Sequence, residues 1–166
     1  MPILALKNPS TEQTYVTQDK MQKSFLDTNI WVYSVDTQSG DKHRASLKIL
    51  RPSEREILCV SDQILSEFYS VMTSSSQVKK PLTPVDTIWR IKRLIQMPNI
   101  QLLPKPSNLT NRLLELLENH PVTGATVFDV MHVATMMSHG IRRIYTFNVD
   151  DFAWCRDMDI EVIVPE

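Results

Sequence analysis

Cysteine is nearly absent from this chain. There are two, Cys59 and Cys155, among 166 residues. They share no metal-type spacing, which argues against a thiolate metal site, and they are expected as reduced thiols of a cytosolic protein, with a single disulfide as the lesser alternative. An excess of positive charge is also missing: 18 Lys and Arg stand against 19 Asp and Glu. A broad basic surface of the kind that grips nucleic acid is thereby excluded. Any polyanion must be met locally or through metal ions. No apolar run approaches the ~20 residues of a membrane span, and repeats and low-complexity tracts are lacking. The opening stretch "MPILALKNPSTEQTYVTQDK" has neither the basic start nor the long apolar segment of a signal peptide. Its polar middle reads as a loosely ordered extension over residues 1–22, with a folded domain over 23–166 and Met21 as an alternative start.

What is present is ordinary globular composition, 42% hydrophobic and 22% charged, enough for one domain with a proper core. "SFLDTNIWVYS" is β-branched and aromatic and reads as a buried strand running into a helix at about Asn29. "DKHRASLKILRP" carries helical spacing and "EILCVSD" is a short apolar strand. "SDQILSEFYSVMTSS" opens with helix-start chemistry at Ser61-Asp62. After the polar loop "SSSQVKKPLTP" come an amphipathic helix in "VDTIWRIKRLIQM" and a short strand in "NIQLLPKP". Then follow a helix capped by Ser107 and another from about Thr126 to a stop at Gly140. "RRIYTFNVDDF" and "IEVIVP" supply the last strands. Strands alternating with helices through short connections predict a parallel sheet covered on both faces.

In such sheets, sites form outside the carboxyl ends of the strands. The positions there are polar: Asp27 in "FLDTN", Glu67 in the otherwise apolar "ILSEFYSV", Asp129 in "TVFDVMHVA", and Asn148, Asp150 and Asp151 in "YTFNVDDF". Each has a plain alternative. Asp27 suits a turn or helix cap, Glu67 a solvated helix face, Asp129 the first turn of a helix, and Asp151 a cap. Together they say more. Carboxylates brought together without matching Lys or Arg repel one another. Hard divalent cations relieve that repulsion through carboxylate oxygen.

The ordered set "FLDTNIWVY", "LSEFYSVM", "FDVMHVATMMSHGI" and "IYTFNVDDF" resembles the PIN-domain ribonucleases, particularly the VapC-type toxins of toxin–antitoxin pairs, over roughly residues 23–164. The resemblance implies a three-layer α/β/α fold around a parallel sheet of about four to five strands. It implies an Mg²⁺- or Mn²⁺-dependent ribonuclease with Asp27, Glu67 and Asp129 as metal-site acids. Thr28 and Asn29 stand at the hydroxyl and amide positions after the first acid, and Thr146 supports the site. The fourth acid departs from the family pattern, since Asn148 occupies the usual Asp position and Asp151 is the alternative. An antitoxin that blocks the pocket, an RNA substrate and a homodimer are further implications.

The chemistry follows from the phosphodiester. Its oxygens need neutralising and a water needs activating, tasks that divalent cations perform; in-line attack would leave 5′-phosphate and 3′-hydroxyl ends. Asp27 and Asp129 are expected to hold the principal ion, with Glu67 as ligand or as orienter of the attacking water. His132, one helical turn after Asp129, reads as a packing or supporting residue. Lys79, Lys80, Arg142 and Arg143 could touch RNA phosphates, but solvated surface charge is the better account of each taken singly. Two rivals stay in view. A haloacid-dehalogenase-like phosphatase would want a second Asp where Asn29 stands. A catalytically degraded PIN-like module would bind RNA or protein without cutting.

Overall fold

The computed structural model describes residues 21–166. The expected extension, except for its last two residues, lies outside the described residues, and the first strand begins at Gln22. Strands β1 (Gln22–Leu26), β2 (Glu56–Val60), β3 (Ile100–Leu102), β4 (Arg143–Tyr145) and β5 (Glu161–Ile163) form one sheet in the order β3-β2-β1-β4-β5. Every pairing is parallel. Helices α1 (Thr28–Val35), α2 (Asp41–Ile49), α3 (Asp62–Met72), α4 (Pro84–Ile95), α5 (Leu109–Asn119) and α6 (Val127–Ser138) make the crossovers.

The topology follows from crossover handedness. From β1 the chain steps outward to β2 and β3 through α1–α4, then returns through α5–α6 to β4 beside β1 and moves on to β5. Right-handed crossovers in opposite directions put the two helix groups on opposite faces. Accordingly α1 packs on α2 and α3, α3 on α4, and α5 on α6. The three-layer architecture expected from the sequence is thus present. Because β1 is covered on both sides, Phe25 and Leu26 are both fully buried. The core continues through Trp31, Leu58, Ile64, Phe68, Val130 and Ile144. Met136, from the methionine-rich stretch of α6, is fully buried within it.

Local chemistry sets the helix ends. The Ser61 hydroxyl accepts from the Ile64 N–H at 3.4 Å. Thr83 caps α4 by accepting from the Asp86 N–H at 3.1 Å, ahead of Pro84 in the first turn. Gly140 follows α6 with φ +67°, the left-handed stop a glycine adopts freely. Two expected boundaries shift. Helix α1 begins at Thr28 rather than Asn29. The cap of α5 is Asn108, not Ser107, because the Leu109 N–H bonds back to the Pro106 carbonyl at 3.2 Å and closes Ser107 into a turn.

Both cysteines are free and buried. Burial pushes their thiols up to about 11, so they stay protonated and unreactive. Among the described residues no helix is long and apolar enough to cross a membrane. Arg143 lies at the amino end of β4, where it pairs with Glu161 at 2.7 Å and Glu56 at 3.3 Å. Arg142 donates there to the Met158 carbonyl at 3.0 Å. These two arginines stand at the opposite end of the sheet from Asp27.

Candidate metal centre at the carboxyl end of the sheet

Beyond β1 the chain turns towards β2, and beyond the adjacent β4 it turns towards β5. A crevice opens where neighbouring strands diverge like this. Asp27 ends β1 and Thr146 ends β4, so both fall at that point. Asp27 occupies the cap position of α1, yet its side chain makes no cap hydrogen bond. The carboxylate is instead turned across the sheet. Its Oδ2 accepts from the Thr146 hydroxyl at 2.5 Å and from Asn29 Nδ2 at 2.6 Å.

The Thr146 hydroxyl has a single allowed direction. Asn29 Nδ2 (3.0 Å) and the Asn148 N–H (2.9 Å) both donate to its oxygen, so its one proton is left for Asp27. Asn29 Oδ1 in turn accepts from the Phe147 N–H at 3.3 Å. The Asn29 amide and the Thr146 hydroxyl therefore lock the carboxylate. Asp27 is 7% exposed, and burial raises its pKa against the lowering bond from Thr146.

Glu67 joins three helices. Its Oε2 accepts from the Thr28 hydroxyl of α1 at 2.6 Å and lies 3.2 Å from His132 Nε2 of α6. Its Oε1 accepts from Gln63 Nε2 at 2.7 Å, one turn back on α3, and Gln63 also donates to the Phe128 carbonyl at 3.1 Å. Burial would raise this carboxyl, but the bonds from His132, Thr28 and Gln63 outweigh it and hold the pKa below the usual value. His132 is 1% exposed, with its ring 5.7 Å from that of Phe25, as its supporting role required. Gln63 was not anticipated from sequence. Its signal was the four-residue spacing to Glu67.

Asp129 is different. It is half-buried in the first turn of α6, and among the described residues no side chain or backbone group hydrogen-bonds its carboxylate. Burial first, then the charges of Asp151, Asp27 and Glu67, push it up to about 6, against the opposing influence of His132. A hollow of about 700 Å³ is lined by Asp27, Thr28, Asn29, Glu67, Asp129 and Asn148 together. Thr146 sits beneath it, fully buried. Asp151 is exposed, in the 3-10 helix Val149–Met158, and reaches the group only through its charge on Asp129. Asp150 is likewise exposed there. Lys79 lines the hollow and Lys80 does not.

Would these residues suit a divalent cation? The donors are carboxylate and amide oxygens, and one acid has no other partner. Among the described residues, no three of His, Cys, Asp or Glu form a ready grip on one ion. Mg²⁺ is commonly held by one or two carboxylates and keeps several waters, so Asp27 with Asp129 meets the requirement.

A pH effect follows. Asp129 binds its proton more tightly folded than unfolded, so its favourable contribution is complete below the ordinary carboxylate value and is lost as pH rises through about 6. In metal-free protein, Asp129→Asn should flatten the fall of melting temperature across that window, as thermal melts over a pH series would record.

The model of the PIN domain matches residues 24–154 of the sequence. The chain belongs to the PIN domain family. A sequence search of curated proteins returned no match. Solved structures share the fold at low identity. A VapBC2 complex from Rickettsia felis bound to a promoter DNA fragment is 14% identical, covering 87% of this chain and 100% of the other, with a TM-score of 0.59. VapC20 from Mycobacterium tuberculosis, described as a sarcin–ricin loop cleaving toxin, is 18% identical over 79% of this chain and 94% of its own, at 0.57. A toxin–antitoxin complex from Klebsiella pneumoniae is 18% identical over 86% and 98%, at 0.54. Within this PIN domain, the acids from β1, α3 and α6 share one hollow.

Proposed function

We propose that this PIN domain is a divalent-metal-dependent endoribonuclease and the toxin of a toxin–antitoxin pair. One observation carries the reading: the carboxylate of Asp129, without a hydrogen-bond partner among the described residues, faces the same hollow as Asp27 and Glu67. Cleavage of the sarcin–ricin loop by the Mycobacterium protein, and the antitoxin-bound state of the Klebsiella one, supply the precedent on this fold.

A bound Mg²⁺ or Mn²⁺ would neutralise phosphate charge and acidify a water. Asp27 and Asp129 would hold the ion, with Asp27 aimed by Thr146 and Asn29. Both oxygens of Glu67 are already engaged by Thr28, Gln63 and His132. It therefore serves best as a fixed negative charge that orients the attacking water. Asn148 on the rim and Asp151 beyond it would act through water or beside a second ion.

The test is a metal titration joined to RNA cleavage. At Mn²⁺ a hundredfold above its dissociation constant, binding stabilises the fold by about 2.7 kcal/mol, or roughly 5–10 °C in melting temperature over chelator-treated protein. The same preparation should cut single-stranded RNA and leave 5′-phosphate ends. The degraded-module alternative is favoured by the missing charge at Asn148 and by the lack of a three-acid grip among the described residues. It requires an unshifted melt and intact RNA. The antitoxin half has its own check, a short reading frame directly upstream whose product binds this chain.

A further inference from the structure

The hollow extends past Asp27, Glu67 and Asp129 into an arm that carries one further acid, Asp36. It is lined by Tyr33, Gln38, Ser70, Gln77 and Lys79, and Lys79 is the one Lys or Arg among its lining residues. Tyr33 lies four residues after Asn29 on α1, hence on the same helix face. Its ring meets that of Phe147 edge-on, with centroids 5.2 Å apart and planes at 81°. Phe147 follows Thr146 directly, and its N–H is held by Asn29. Phe147 is thus tied to the network that aims Asp27, and Tyr33, whose hydroxyl accepts from Lys42 Nζ at 3.4 Å, packs against it. The ammonium of exposed Lys42 lies 4.8 Å from the Tyr33 ring centre and 5.5 Å from that of Phe147. Such an exposed cation–π contact is weak and yields readily to a better partner for the ring.

We infer that Tyr33, backed by Phe147, is a stacking platform for the base next to the scissile phosphate, and that Lys79 takes the following phosphate. The inference rests on the nuclease reading and names a nucleotide subsite of the same hollow. The physical need is plain. An acidic hollow loaded with cations attracts one phosphate but leaves the neighbouring nucleotides unheld, on a chain without a basic surface. Aromatic stacking holds any single-stranded base, since every base has a π-face. Lys79, the one Lys or Arg in the lining, fixes the strand's direction. Asp36 lines the same arm, its carboxyl kept low first by the Ser39 hydroxyl and last by the charge of Lys79.

The test uses the full chain and a short mixed-sequence single-stranded oligoribonucleotide with a fluorescent label, with binding and Mn²⁺-dependent cleavage read separately. Tyr33→Leu should weaken binding and raise KM about tenfold with kcat little changed, while Tyr33→Phe behaves as the parent. Lys79→Gln, at an exposed position outside the core, should weaken binding several-fold and lower the slope of log affinity against log salt by about one. If the parent cuts RNA and both Tyr33→Leu and Lys79→Gln keep its KM and salt slope, the subsite is overturned while the nuclease stands. If the parent binds without cutting and the variants bind weakly, the subsite stands and the nuclease reading falls. A parent that neither binds nor cuts overturns both. Should Tyr33→Leu not fold, the Lys79→Gln salt slope decides alone.

Discussion

Asp27→Asn should abolish cleavage and leave the fold intact. Losing an ion's transition-state role costs several kcal/mol, and about 4 kcal/mol corresponds to roughly a thousandfold in rate. The amide keeps the shape of the acid and one oxygen to receive Thr146 and Asn29, which both donate to Oδ2. What it loses is the charge. Burial raises the pKa of Asp27, so the ionised form is the one the fold tolerates less well. The uncharged amide imitates the protonated acid, so metal-free Asp27→Asn should melt no lower than the parent above the ordinary carboxylate pKa. Single-turnover cleavage in Mn²⁺ and a thermal melt on the same preparation check both halves. Parent-like cleavage would remove Asp27 from the mechanism.

Trp31→Ala should have the largest effect on stability, about 3–5 kcal/mol, a large share of the roughly 5–15 kcal/mol that a domain has. Trp31 is fully buried where α1 crosses α3, with its ring 6.4 Å from that of Phe68 at 65°. The loss should reach the site as well. Phe68 is the residue after Glu67, and the Thr28–Glu67 bond spans the same helix pair. Trp31→Phe should cost far less, because the indole Nε1 is buried with no partner among the described residues. Denaturant unfolding of the two variants, with Mn²⁺ affinity measured on each, would establish the order. Equal stability for Trp31→Ala and the parent would mean that the α1–α3 contact contributes little.

Much of this was legible from local pattern. Short β-branched, aromatic and apolar runs and helical spacing with caps at Ser61 and Gly140 marked strands and helices, and their succession implied a parallel sheet. An acid at the end of a strand is readable for the same reason: a strand's carboxyl end is a local event. Boundaries that depended on a turn closing, as at Ser107, were not. Nor was the worth of each basic residue. Arg142 and Arg143 looked like Lys79 in composition, and only the direction of β4 separated them.

What the amino-acid order determined by itself was which residue types stand at strand ends and helix starts, because backbone preference and burial act over a few neighbours. The tertiary structure decided what each side chain does. Thr146 reaches Asp27 across 119 positions and Thr28 reaches Glu67 across 39, and no local rule says which acid will receive a donor and which will be left without one. Among the described residues, Asp129 was left without one. That difference, made by distant segments packing together, is what sets Asp129 apart from Asp27 and Glu67.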